Sequence, residues 1–220
     1  MISISILAAD IMRLAEEVDM FLLAGIDSIH MGYLNCDHEA AINITLSISK
    51  SLRDYGVRVP ISILLLGKVT QSIVKPLVIS GVSTIYFSPT IENITEDIPS
   101  MIKECGCNSG ILVPSEAALY QNKSRLPKLD DVLFDLDNMS AGYNTKSSII
   151  ETITNSKRFI MNSGTDINIV TSGELSESKI ELLSEAGVDS FIIGKSMLSS
   201  TDYYTTISHL KRKLRLNRRF

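Results

Sequence analysis

His30, Asp37, His38, Asp135 and Asp137 are residue types that move protons or grip a divalent cation, and Ser5 adds a hydroxyl. An imidazole and a carboxylate that reach the same ligand form an acid/base pair, and several such groups converging hold a metal. The catalytic set is left open among Ser5, His30, Asp37 and Asp135, because a local reading also fits them: an inward His30 satisfied by a hydroxyl such as Ser5, with the aspartates capping turns. A second set has different chemistry. Gly142, Gly173 and Gly194 carry no side chain to block an anion, Ser172 and Ser196 offer hydroxyl donors, and Lys195 supplies positive charge. Together they suit a phosphate group, although any one of these glycines alone is read as a turn former. Lys68 and Lys195 raise Schiff-base chemistry as well, but just past strand ends anion binding is the simpler role.

Such scattered residues act together only if the fold gathers them. A short pattern recurs in Ala24-Gly25-Ile26-Asp27-Ser28-Ile29, Ser80-Gly81-Val82-Ser83-Thr84-Ile85 and Ala186-Gly187-Val188-Asp189-Ser190-Phe191, each reading as helix end, turn and strand start. With weaker versions at Gly56, Gly106 and Gly164, the glycine spacings are 31, 25, 25, 58 and 23 residues, the long gap holding two units. A unit of about 25 to 30 residues holds one strand and one helix. Strands are predicted at Ser3 to Leu7, Ser28 to Met31, Ile61 to Leu66, Thr84 to Phe87, Gly110 to Val113, Asp131 to Asp135, Ile167 to Val170 and Phe191 to Ile193. Amphipathic helices such as Ile11 to Leu23 and Ser176 to Ala186 lie between them. Near-continuous apolar strands alternating with helices point to a parallel sheet covered on both faces. An open doubly wound sheet gives no reason for so even a period and usually begins with a glycine-rich turn, absent here. The expected fold is a single (β/α)8 TIM barrel over residues 1–220, with function at the carboxyl ends of the strands.

A chain of 220 residues suits one such barrel, and no apolar run approaches the roughly 18 residues of a membrane span. The N-terminus lacks a basic leader, so a cytoplasmic protein without a membrane partner is expected. Cys36, Cys105 and Cys107 make an odd count without a C-x-x-C pair, which argues for reduced thiols. Lys211, Arg212, Lys213, Arg215, Arg218 and Arg219 form a basic tail over 211–220, which leaves a net charge of -10 for the rest of the chain. An acidic body is a poor polyanion binder, so no nucleic acid is expected, and the tail is read as a solvated helix end with a frayed terminus.

Ser5-Ile6-Leu7-Ala8-Ala9-Asp10 resembles the opening S-I-L-S-A-D of the ribulose-phosphate 3-epimerase family. Ala24 to His30 is similar to A-G-A-D-x-I-H, Asn43-Ile44-Thr45 to N-L-T, and Ala186 to Ser196 to the closing A-G-A-D-x-x-V-x-G-S. The resemblance covers essentially the whole chain and implies a barrel of the ribulose-phosphate-binding type, a phosphorylated sugar as partner, a role in carbohydrate metabolism and assembly into a homo-oligomer. It also implies isomerase chemistry, in which two aspartates exchange a proton beside a ketone while a divalent metal, held by two histidines and the same aspartates, stabilises the enediolate. His30 matches the first histidine. The other three positions fall on Gly32, Leu64 and Thr171, and the glycine-rich loop N-P-G-F-G-G-Q falls on Asn138 to Asn144. No metal or other cofactor is therefore expected. Two functions stay open: a divergent sugar-phosphate epimerase, and a non-catalytic pseudoenzyme that binds a sugar phosphate or a protein partner.

Overall fold

The computed structural model describes residues 1–89, 97–139, 145–194 and 202–217. Strands β1 (Ile2–Ser5), β2 (Ser28–Asn35), β3 (Ile61–Leu66), β4 (Thr84–Phe87), β5 (Asn108–Leu112), β6 (Asp131–Asp135), β7 (Asn168–Ser172) and β8 (Ser190–Ile193) pair in parallel and in chain order. β1 pairs with β8 and closes the barrel. Around it stand α1 (Leu14–Leu23), α2 (Glu39–Tyr55), α3 (Gln71–Ile79), α4 (Ile98–Glu104), α5 (Glu116–Gln121), α6 (Lys146–Asn162), α7 (Glu177–Ala186) and α8 (Tyr203–Asn217). The chain is a (β/α)8 barrel.

Period-two alternation divides each strand between two cores. Outward residues such as Ile4, Ile63, Phe87, Phe134 and Phe191 are buried under the helices with Phe21, Leu77, Ile153 and Leu183. Each such side chain contributes about 1.5–3 kcal/mol by leaving water. Leu64, Tyr86, Leu133, Val170 and Ile192 point inward and fill the barrel. Below them Tyr86 Oη donates to Asp131 Oδ2 at 3.0 Å while Asn168 Nδ2 donates to Asp131 Oδ1 at 3.0 Å. Burial raises the pKa of both Asp131 and Tyr86, which favours their protonated forms.

The internal repeat has a structural cause. Asp27, just before β2, accepts the Ile2 N–H that opens β1 at 2.7 Å, and Ser83, just before β4, accepts the Ile61 N–H that opens β3 at 2.9 Å. Asp130 does the same for Ser109 in β5 at 2.9 Å, and Asp189 for Ile169 in β7 at 2.9 Å. A strand's first N–H has no ladder partner and must be satisfied if buried. The polar residue just before each even-numbered strand supplies that acceptor to the odd-numbered strand beside it, so the motif recurs at every second strand.

The structure moves several expected boundaries. β1 ends at Ser5 because Ile6–Ala8 turns as a 3-10 helix, closed by Ala9 N–H to Ile6 O at 3.1 Å. β2 runs four residues past Met31 to Asn35, β5 begins two residues before Gly110, at Asn108, and β7 runs past Val170 to Ser172, adding polar residues that the apolar pattern excluded. Ladder bonds are made by the backbone, so Asn and Ser can sit at strand ends. Helix α1 begins later than expected, at Leu14, after a 3-10 turn over Ile11–Arg13, whereas Ser176 is the N-cap of α7, accepting from Lys179 N–H at 3.3 Å.

The basic tail is largely part of α8, which continues to Asn217. Lys211 Nζ donates to Gly25 O and to Asp27 Oδ1, and Lys213 pairs with Glu181 at 2.6 Å and Glu177 at 3.6 Å. The tail is thus the end of a helix, as read from sequence, but it is not wholly solvated: Lys211 ties α8 to the start of β2 and Lys213 ties it to α7, while Arg212 is exposed. Arg218 and Arg219 lie outside the described residues. Cys36, Cys105 and Cys107 are free thiols, and burial pushes Cys36 up to about 11 and Cys107 up to about 12. Among the described residues no helix is long and apolar enough to cross a membrane.

Candidate functional site

The inner core stops short of the carboxyl ends of the strands, and a cavity of about 470 Å³ opens there. Leu64, Leu133 and Ile192 contribute its apolar lining. Ser5, His30, Ser172, Gly173, Gly194 and Asp135, all named from sequence, line it together with Gly32, Tyr33, Asp137, Asn138 and Glu174. The barrel therefore gathers residues from β1, β2, β3, β6, β7 and β8 into one space. Gly142, Lys195 and Ser196 lie outside the described residues. Asp37 does not line the cavity: its N–H bonds to Asn35 Oδ1 at 2.9 Å and its carboxylate lies against Gly67, in the turn after β3.

His30 is buried, and its Nδ1 meets Ser62 Oγ at 3.0 Å rather than Ser5, the partner proposed from sequence. Ser62 Oγ also donates to Ile29 O at 3.4 Å, and with its proton so placed it accepts from the Nδ1–H tautomer of the ring. Nε2 keeps a lone pair with no protein partner among the described residues. Burial lowers the His30 pKa to about 4, so the ring is a neutral base of modest strength.

Asp135 and Asp137 both lie at the cavity and both accept structural hydrogen bonds. Asp135 holds a local turn, its Oδ2 accepting from Asn138 Nδ2 at 2.7 Å, whereas Asp137 reaches across to the turn after β7, its Oδ1 accepting from Glu174 N–H at 2.9 Å.

The positions matched to the family's metal ligands carry poor donors. Gly32 sits at φ +88°, where β2 spends three residues against two of β3, and the bulge turns Tyr33 toward the mouth. The side chain of Leu7 fills the space a Cβ at Gly32 would need, with Leu7 Cδ1 only 2.3 Å away. Leu64 offers hydrocarbon. Thr171, expected at the mouth, faces outward: it pairs with Phe134 and Phe191, is fully buried, and its Oγ1 has no hydrogen-bond partner among the described residues. Alternation puts Ser172 at the mouth instead, beside Asp135. An imidazole, a hydroxyl, a hydrocarbon and a bare Cα do not fit a divalent ion. Among the described residues no group of three or more His, Cys, Asp or Glu is placed to hold one.

Sequence reasoning gave no role to Tyr33, Glu174 or Ser62, and named Asn138 only as the start of the loop after β6. Tyr33 is exposed by a bulge that no local pattern encodes, although Gly32 beside it is a signal of unusual backbone. Ser62 is reached only through the register of β2 on β3.

The solved structures of KGPDC from Streptococcus mutans (TM-score 0.70, 11% identity, 98% of this chain and 97% of that one) and of orotidine 5'-phosphate decarboxylase from Pyrococcus horikoshii (TM-score 0.67, 13% identity, 98% and 99%) share the fold. At such identities the likeness is one of architecture. Sequence carries further: ribulose-phosphate 3-epimerase of Escherichia coli K12 is 30% identical over 217 residues, covering 97% of this chain and 96% of that protein. The enzyme of the same name from Serratia marcescens is 28% identical over 206 residues, covering 92% and 97%. The family model described as ribulose-phosphate 3 epimerase matches residues 1–198. With that match and its barrel, the chain belongs to the ribulose-phosphate 3-epimerase family.

Proposed function

We propose that this chain is a cytoplasmic member of the family that binds a phosphorylated ketose in the barrel mouth and has given up metal-assisted epimerisation. The observation that carries the reading is the mouth itself: Leu64 and Gly32, filled over by Leu7, stand where the family's histidine and aspartate ligands align, inside a cavity that keeps His30, Gly173 and Gly194. Without a cation, an enediolate in this cavity has no strong electrophile among the described residues, and that stabilisation supplies several kcal/mol of the reaction. Ser172, Gly173 and Gly194, together with Gly142, Lys195 and Ser196, which lie outside the described residues, are the groups proposed to take the phosphate.

The test is calorimetric binding of ribulose 5-phosphate with and without a chelator, alongside an epimerase assay and metal analysis. Saturable, chelator-independent binding is expected, with turnover at least about 10³-fold below that of the Escherichia coli relative assayed in parallel. Metal near one equivalent with chelator-sensitive turnover would refute the reading, and absence of any binding would leave the barrel a scaffold.

A second reading rests on the His30 lone pair and the Asp135 carboxylate, which line the same cavity. As two bases at one ligand they can pass a proton at the carbon beside the ketone without a metal. Deuterium wash-in at C3 of ribulose 5-phosphate in chelated D2O, followed by NMR, selects this reading, and its absence selects simple binding.

A further inference from the structure

The turn after β7 already holds an anion, and it belongs to the protein. Gly173, at φ +107°, belongs to the proposed phosphate site, and the Glu174 N–H is the next backbone donor along the same turn. Asp137 Oδ1 accepts the Glu174 N–H at 2.9 Å, and the Asp137 carboxyl lies so close over Gly173 that a Cβ there would come within 2.9 Å of its Cγ and Oδ1. A phosphate oxygen bonding to the Glu174 N–H would need the place that Oδ1 fills. Charge works in the same direction, because the described cavity lining has three carboxylates, Asp135, Asp137 and Glu174, and no lysine or arginine.

We infer that Asp137 is a specificity-determining residue of the mouth, an internal anion that a phosphorylated ligand must displace from the strand-seven turn before it binds. The inference rests on the sugar-phosphate reading above. Asp137 and the incoming phosphate compete for one donor, so phosphate affinity is lowered by whatever free energy holds Asp137 in place. The residue thereby discriminates between ligands. A neutral sugar, which has no need of the Glu174 N–H, leaves Asp137 where it is, whereas a phosphate monoester must expel it. The β6 loop that carries Asp137 is then coupled to ligand charge.

The experiment titrates inorganic phosphate and ribulose 5-phosphate, at fixed ionic strength, into the full chain and into D137A, D137N and E174A. Thermal unfolding verifies that each variant is folded. D137A is expected to bind both probes about tenfold more tightly or better, since freeing one charge-assisted bond and removing one nearby like charge is of that order. D137N, which keeps the shape and an acceptor oxygen but not the charge, should fall between, and it carries the test if D137A fails to fold. E174A removes another carboxylate of the same mouth and leaves its backbone donor in place, so a gain within about twofold is expected. Equal gains in D137A and E174A would mean general charge relief and would overturn the inference. Unchanged or weaker binding by D137A, with the unaltered chain still binding, would also overturn it while sparing the sugar-phosphate reading. If none of the proteins binds either probe, both fall together.

Discussion

Thr171→Asp is expected to destabilise the chain by about 4 kcal/mol, whereas Ser172→Asp, one residue on, is expected to lower stability by about 1 kcal/mol. The contrast follows from strand alternation. Thr171 is flanked across the sheet by Phe134 and Phe191, all three buried against the helices, and the Thr171 hydroxyl already lacks a partner among the described residues. A carboxylate there must either ionise without compensation or stay protonated at neutral pH, and both are costly. At 172 the same carboxylate enters the cavity and reaches water, where its main penalty is repulsion from Asp135, its neighbour across the β6–β7 pair. Thr171→Val serves as control, because replacing an unpartnered hydroxyl by a methyl of like shape should be neutral or stabilising by up to about 1 kcal/mol. Urea midpoints of the four proteins decide the matter. A tolerant 171 beside a collapsing 172 would place β7 one residue out of register and return Thr171 to the mouth. The result also bears on any attempt to rebuild a metal site: the carboxylate belongs at 172, and an aspartate at 32 would meet both Leu7 and a backbone dihedral that side chains resist, worth about 1–3 kcal/mol.

The same residues explain what could be read from the sequence. The barrel was legible because its signals repeat. Asp27, Ser83 and Asp189 follow their glycines at one spacing because each has the same task at the foot of a strand, and a repeated task leaves a repeated mark. The strand centres were legible because both faces are buried and only apolar residues suit them. The site was harder, because it depends on which way single residues point. Alignment by motif placed the strand-seven ligand position at Thr171, whereas alternation from Val170, an inner-core residue, places Ser172 there. One bulge at Gly32 turned Tyr33 into the mouth; the glycine marks an unusual backbone there but does not say which way the next side chain will point. Asp137 was noticed as a carboxylate near a strand end, but its partner Glu174 lies 37 residues away, joined to it only by the β6–β7 pairing. Such contacts emerge from the closed sheet and not from any segment of it.

His30 should make stability fall as the solution is acidified, by about 3 kcal/mol in all. Its pKa drops from 6.5 in an exposed chain to about 4 in the barrel, because burial withholds water from the imidazolium. Between those values the unfolded chain binds more protons than the folded one, so the free energy of unfolding declines by about 1.4 kcal/mol for each pH unit lost, starting near pH 6.5 and ending near pH 4. Asp27, Asp97 and Asp202, whose pKa values are lowered by hydrogen bonds, lose their contributions in more acid solution, and Asp131, whose pKa is raised, acts with the opposite sign. His30→Gln isolates the effect, since an amide can still meet Ser62 but does not titrate. The difference in unfolding free energy between pH 7 and pH 4.5 should shrink by about 2–3 kcal/mol in the variant, measured by urea denaturation at both values. An NMR titration of the ring in the native chain checks the cause directly, and a midpoint near 6.5 would contradict it. With a midpoint near 4 the imidazole stays neutral at physiological pH, donating through Nδ1 to Ser62 and leaving Nε2 as an acceptor for a ligand hydroxyl. It can receive a proton only briefly and return it. That is the protonation state metal-free proton transfer with Asp135 would require, so the two measurements on His30 also limit which chemistry this mouth can still perform.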